Sequence, residues 1–527
     1  MDPGPTSPPP EPQPAAVAQL PEKSSALFTG TSAAQAALDS SARFFASATV
    51  VVLAPADDQA AQLRASSVAL ALGAPVLLTG AQDEEVAGEI ERLEAGTVMP
   101  VGPVDLGDFD LSEMNVQPLG EDFGEVQDLL GNDLEEDLST ADPPQEKPAR
   151  HLAELEPGTI LSPGETDGSG TSSGAQRSGH MPALLHGEGV QGLHVLFDGQ
   201  AYQTTAVANA RAAGASVALV PGDPRASAEA VSDLGEGEAV VGYGTHYGDA
   251  ESFGWQVATA ATGTQLPGGS QLVFDHTRYV ALYGHPGTPS LGVLGENDTA
   301  QTIDLVADMA GKYADLTEET VVPTLEVIVT VATGDEGSDG DYSTEFPAEK
   351  YQDLIEAAAD AGQYVVLDFQ PGRANFLDQV RQYEELLKYP NVGVALDPEW
   401  RLAPDQEPLQ QIGSVGIDEV NSVVDYVADF TRSHHLPQKM VVLHQFRRAM
   451  IHDRSELTTD RSEVAVLIHA DGSGAQSDKT DTWNNVRSGA PDGVHWGWKN
   501  FIDEDKPMLT PEQTYGVEPR PDYVSYQ

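Results

Sequence analysis

The sequence predicts an α/β protein: two Rossmann-like α/β modules, each an open parallel sheet, followed by a (β/α)₈ barrel. Three observations predict it. A strand–helix–strand pattern begins near residue 48 and returns near residue 194. Eight short apolar runs follow Leu272, most of them separated by helical periodicity. Many of these runs are continuous instead of alternating, which fits strands buried on both faces.

Composition sets the outer limits. A chain of 527 residues suggests three or four domains at about 150 residues each. Hydrophobic residues make up 40%, enough to fill cores. The 83 acidic residues against 27 basic ones give a net charge of −56, which disfavours DNA, RNA and anionic lipid as partners. With no cysteine, disulfides, thiolate metal sites and cysteine nucleophiles are excluded. No apolar run reaches the roughly 18 residues of a membrane span. The acidity suits a salt-adapted protein and a secreted one equally.

Residues 1–24 are proline-rich and polar, and are expected to form a disordered tether. They lack the basic start and apolar centre of a signal peptide. Two expectations follow: a cytosolic chain, or a mature exported one whose signal has been removed and whose tether leads from an anchor, as in a lipoprotein.

The first module is placed at 25–103. Ala48 to Ala54 is a continuous apolar strand, Gln59 to Leu72 a helix closed by Gly73, and Pro75 to Thr79 the next strand. An acidic helix (Asp83 to Leu93) and a short strand (Thr97 to Val101) complete it. The second module, at 189–270, repeats the order. His194 to Phe197 and Ser216 to Val220 are strands, Ala201 to Ala213 is the helix between them, and Ala239 to Tyr243 is the last strand. Between the modules, 104–188 is acidic and rich in Gly, Ser and Pro, the composition of an insertion or linker.

The run Phe44-Phe45-Ala46-Ser47-Ala48-Thr49-Val50-Val51-Val52-Leu53-Ala54, followed by Ala71-Leu72-Gly73-Ala74-Pro75-Val76-Leu77-Leu78-Thr79, resembles the cell wall-binding repeat 2 family of Gram-positive surface proteins. The resemblance covers Leu27 to Val101 and, more loosely, His194 to Tyr243. The second copy departs at Ala215-Ser216, where Ala-Pro is expected, and at Asp198 after its first strand. It implies an extracellular, wall- or surface-associated protein of an actinobacterium, with a cell-wall polysaccharide or other surface glycan as partner.

The barrel is placed at 272–527. Its strands are expected at Tyr279 to Tyr283, Leu325 to Thr330, Tyr364 to Leu367 and Val392 to Leu396, then Met440 to Leu443, Val464 to Ile468, Val494 to Trp498 and Tyr523 to Tyr526. Helices are expected at 299–316, 348–361, 375–387 and 417–433. A doubly wound open sheet is the alternative. In a (β/α)₈ barrel the chemistry lies at the C-terminal strand ends, and polar residues gather there: His285, Asp368 with Gln370, Asp397 with Glu399 and Trp400, His444, His469 with Asp471, and Trp496 with Trp498.

Three readings of that rim stay open. The first is glycoside hydrolysis, which needs one protonated and one ionised carboxyl. Glu399 is the candidate acid, and Asp368 or Asp471 the nucleophile or base. Asp397, two residues before Glu399, would raise its pKa by like-charge repulsion. Trp400, Trp496 and Trp498 offer flat faces for sugar rings, and His285, Gln370, His444 and His469 complete the expected binding surface. The segment Asp397-Pro398-Glu399-Trp400 resembles the strand-four end of chitinase-like barrels, although Ala395 and Val392 stand where that motif has two further aspartates. The second is metal-assisted hydrolysis. His285, His444 and His469 resemble the histidines of amidohydrolase barrels, but strand one lacks a His-x-His pair and strand eight a terminal aspartate. The third is a binding platform that holds glycan without cutting it. No cofactor or metal is called for by the first and third.

Weaker signals remain. Asp335 to Asp341 is rich in carboxylates and glycine, but Phe346 occupies the place of a calcium loop's final Glu, so a glycine-rich lid is expected. No phosphate loop and no Gly-x-Ser-x-Gly elbow is present.

Overall fold

The computed structural model describes residues 11–107, 109–120, 122–131, 133–138, 147–162, 177–178, 181–235 and 239–527. The chain forms two compact units. One runs to Pro224 and takes in Asp233–Ala261; the other comprises Arg225–Ser232 and Thr262–Gln527. Residues 1–10 and the Gly/Ser stretch 168–174 lie outside the described residues.

The first unit holds two four-stranded parallel sheets. One runs Val76–Thr79, Val50–Pro55, Thr97–Pro100, Asn115–Val116; the other runs Ser216–Leu219, Leu193–Phe197, Ala239–Tyr243, Ser25–Phe28. Two expectations need correction. Ser25–Phe28 belongs to the second sheet, in register with Val240 to Tyr243. The tether is shorter than 1–24, because Ala16–Ala18 pairs antiparallel with Phe45–Ala48, and Ala15 and Ala16 are fully buried. A run of small apolar residues is enough to dock that segment. Within 104–188, helices Phe123–Leu130 and Pro148–Glu154 and the strand pair Glu135–Asp137 with Thr159–Leu161 are formed, because Val126, Leu152, Ile160 and Leu161 are buried.

Helix Gln59–Leu72 is buried on nearly every side, so its apolar residues show no single stripe. Helix Thr204–Ala212 is also largely buried, and its Asn209 satisfies four partners at once. Its Oδ1 accepts from Val76 N (2.7 Å), and its Nδ2 donates to Val76 O (3.1 Å), Ala37 O (3.2 Å) and Ser40 Oγ (2.9 Å). It thereby pairs the free edge of one sheet with two helices.

The second unit is a closed barrel of eight parallel strands: β1 (Thr277–Gly284), β2 (Thr320–Ala332), β3 (Tyr364–Phe369), β4 (Val392–Leu396), β5 (Lys439–Gln445), β6 (Val464–Ala470), β7 (His495–Asn500) and β8 (Tyr523–Tyr526). β1 pairs with both β2 and β8, which closes the ring. Ser343–Glu345 adds an antiparallel strand at the end of β2. The helices fall at Thr299–Ala314, Glu349–Asp360, Phe376–Gln382, Glu384–Leu387, Ile417–Ser433, Gln476–Arg487 and Pro511–Thr514.

Strand parity separates two cores. Tyr279, Ala281, Val322, Tyr364, Val366, Ala395, Met440, Val442, Leu467 and Tyr523 fill the barrel interior. Their sequence neighbours, such as Val280, Leu282, Val365, Leu367, Val441 and Leu443, pack under the helices. Continuing the inward parity along each strand delivers polar residues to the C-terminal end. These are Tyr283 on β1, Glu326 on β2, Asp368 on β3, His444 on β5, His469 on β6, Lys499 on β7 and Ser525 on β8.

Candidate active site

His444 lies in the floor of this end, fully buried between two carboxylates. Its Nδ1 is 3.0 Å from Asp471 Oδ2 and its Nε2 is 2.7 Å from Glu326 Oε1. Burial alone would lower its pKa, but the two carboxylates outweigh burial and raise it well above the ordinary 6.5. The ring is therefore an imidazolium donating on both sides. Against the cost of burial, its charge and hydrogen bond bring Glu326 down to about 2 and also lower Asp471. Glu326 Oε2 takes a further hydrogen bond from Tyr523 OH at 2.8 Å.

The neighbouring histidine behaves oppositely. His469 stacks near His444, with ring centroids 5.2 Å apart, and its Nε2 lies 2.7 Å from Ser525 Oγ. Burial holds its pKa down at about 3, so it stays neutral. Gly497 on β7 allows this packing: a Cβ there would sit 3.0 Å from His469 Nδ1.

Above this floor opens a cleft of about 610 Å³. Asp397, Glu399, Trp400, Asp471 and Gln370 line it, together with Tyr283, Phe446, Arg447, Lys499 and Phe501. Asp397 and Glu399 reach it by a route that strand alternation did not foresee. β4 ends at Leu396, and Pro398–Trp400 forms a 3₁₀ turn in which Asp397 Oδ1 accepts from Glu399 N at 3.3 Å. Arg401 fixes the end of that turn by gripping Glu419 with Nε (2.9 Å) and Nη2 (3.1 Å).

The carboxyls divide by environment. Burial, then the Asp471 charge, pushes Glu399 up to about 7. Burial, then the Glu399 charge, holds Asp397 well above the usual carboxylate range. Asp471, in contrast, stays ionised beside the imidazolium. Asp368 lies lower, fully buried, with Oδ2 accepting from Tyr283 OH at 2.9 Å; burial raises it to about 6. One wall thus offers carboxyls that hold protons near neutrality and another that does not, the separation general acid–base chemistry needs.

Three expected rim residues lie elsewhere. His285 turns toward helix Glu349–Asp360, its Nδ1 2.8 Å from Ile328 O and its Nε2 2.7 Å from Lys350 Nζ. Trp496 and Trp498 have the outward parity of β7 and pack against Trp483 of helix Gln476–Arg487, at 6.1 and 5.7 Å between centroids. Their sugar-binding assignment fails because Lys499 and Gly497 take the inward positions. Glu326, Tyr283, Lys499 and Ser525 were not foreseen as site residues. A charged Glu in the middle of the apolar run of β2 is the signal in the sequence by which the first could have been found.

The three histidines do not converge. His285 faces a helix, and both nitrogens of His444 are engaged by carboxylates. Among the described residues, Asp339, Asp341 and Glu345 are the three side chains whose ligand atoms lie within 4.8 Å of one another, as a metal ion would need, and they lie outside the cleft lining.

These features define a (β/α)₈ barrel with a carboxylate-lined cleft at the C-terminal strand ends. No family model matches the chain, and no curated protein matches it. Among solved structures the chain is similar to Cwp6 from Clostridium difficile, at 14% identity and a TM-score of 0.31, covering 67% of this chain and 63% of that one. The chain therefore spans less than two thirds of that protein's length, and the likeness carries no argument about function.

Proposed function

We propose that the barrel hydrolyses glycosidic bonds of a cell-wall or capsular glycan, with the paired α/β modules holding the protein at a bacterial surface. One observation carries the catalytic part: Glu399, protonated up to about pH 7, and Asp471, held ionised by His444, line the same cleft. In this reading Glu399 gives its proton to the glycosidic oxygen as the C–O bond breaks. Asp471 meets the positive charge that grows on the anomeric carbon, and water supplies the hydroxyl the carbon gains while its other proton returns to the Glu399 carboxylate. Trp400 provides the flat face on which a sugar ring stacks. The surface location is supported by the resemblance of 27–101 to wall-binding repeats and by the repetition of that module.

Chromatography of sugars released from isolated wall and capsular polysaccharides tests the proposal. Product from the wild type, and its loss in Asp471→Asn, is the expected result. Retained pull-down on the same polysaccharide without any product would contradict hydrolysis and favour a binding platform.

A further inference from the structure

The segment that leaves β5 gathers basic side chains around a second pocket. Its residues Arg448, His452 and Arg454, with Asp453 and Gly489, line this pocket of about 460 Å³. Arg454 is 5% exposed; its Nη1 donates to Gln445 Oε1 at 2.7 Å and its Nη2 to Ser488 O at 3.2 Å. Among the described residues neither Arg448 nor Arg454 has a carboxylate within ion-pairing distance, whereas Arg278, Arg401, Arg432 and Arg461 of the same unit all do. Asp453, the pocket's one carboxylate, makes no ion pair among the described residues either. Burial, and then repulsion from Arg448, lowers the Arg454 pKa, and both side chains line this one pocket. Gly489 leaves the pocket open on one side: a Cβ there would lie 3.2 Å from Arg448 Nη2.

Two guanidinium groups without a carboxylate partner face one pocket, with an imidazole beside them; Arg454 has two donors engaged by Gln445 and Ser488, so it supplies mainly charge, and the exposed Arg448 supplies the forked donors that suit an oxyanion. The same segment lines the main cleft one residue earlier, at Phe446 and Arg447. Lys499, 3% exposed, brings a further ammonium to that cleft. Its Nζ lies 3.6 Å from the Tyr283 ring centroid and forms no ion pair among the described residues. Cations thus run from the cleft into the second pocket.

We infer that the Arg448–Arg454 pocket is an oxyanion subsite which takes the phosphate, sulfate or carboxylate group of an anionic glycan whose neighbouring unit lies in the cleft. What carries the oxyanion rests on the proposed glycan hydrolysis; the oxyanion site itself does not. The overall charge of −56 opposes such a ligand at long range. Local pairing inside the pocket answers it at short range, so binding is expected to be weak and sensitive to salt.

Calorimetric titration of the full chain with inorganic phosphate, sulfate and glucuronate, each separately at low ionic strength, tests the inference. The wild type should bind one equivalent of at least one probe. Arg448→Gln, an exposed change, should weaken that binding about tenfold or more, the scale of losing one charge-assisted hydrogen bond. Arg454→Lys should weaken it while keeping the fold. The preferred probe identifies the anionic group. Failure of all three probes to bind, or unchanged binding in Arg448→Gln, overturns the inference. Oxyanion binding with no glycan cleaved would leave the subsite standing and remove the hydrolase reading. Cleavage without oxyanion binding would do the reverse.

Discussion

His444 and Glu326 meet across the barrel, 2.7 Å apart, one from β5 and the other from β2, and both are fully buried. A buried pair of this kind survives because each partner lowers the cost of the other's charge, and because Asp471 and Tyr523 take up the remaining hydrogen-bonding capacity. The pair ties opposite sides of the ring together beneath the cleft.

Removing one partner should therefore cost stability. Glu326→Leu strands the imidazolium with Asp471 alone and is expected to destabilise the barrel by about 3–5 kcal/mol. Denaturant unfolding of the wild type and variant would show it as a lower midpoint; a variant with an unchanged midpoint would mean that the pair holds nothing in place.

Thermal stability should fall as pH rises from about 4.5 to 7. Glu399 loses its proton near 4.5 when unfolded and near 7 when folded, and Asp368 near 3.8 and about 6. Folded pKa values raised above unfolded ones contribute stability that is complete below the unfolded pKa and is lost as pH passes the folded one. Scanning calorimetry across that window should show a decline in Tm that is shallower in Glu399→Gln. Equal slopes for the two proteins would contradict the raised value.

Activity on a glycan should also decline as pH rises through about 7, because Glu399 must carry a proton to act. Lys499 lowers the Glu399 pKa by its charge, so Lys499→Met should move the limb to higher pH. A pH–rate profile unmoved by that change would detach Lys499 from the acid.

The tryptophans should separate by role. Trp400→Ala removes a cleft wall and should raise KM with little effect on stability. Trp498→Ala removes a buried ring outside the barrel wall and should cost about 3–5 kcal/mol with KM unchanged in whatever fraction folds. The reverse pattern would show that the parity assignment of β7 is mistaken.

In the first unit, Asn209→Ala leaves the buried Val76 N–H and C=O without a partner and should destabilise by about 1–3 kcal/mol. Urea unfolding followed by a probe in that unit would register it.

The barrel strands were legible because most contain a continuous apolar run, and the rim was legible because several such runs stop in a polar residue. The missing information is parity. A strand buried on both faces gives no sequence cue for which alternate residues face inward, so Trp496 and Trp498 could not be told from Lys499 until the ring closed. Glu326 was hidden for a related reason: a single charge inside β2 acquires meaning only from His444, 118 residues away. Asp397 and Glu399 do share the cleft, yet through a 3₁₀ turn and not through strand alternation. The placement of Ser25–Phe28 in the second sheet could not be read either, since four residues of mixed polarity fit either edge.

Carboxyl-carbon NMR titration of the cleft acids, assigned through Glu399→Gln and Asp471→Asn, tests the separation of proton affinities most directly. The structure predicts that Glu399 titrates near pH 7 while Asp471 remains ionised to below its ordinary 3.8. Two carboxyls titrating together near 4 would contradict it.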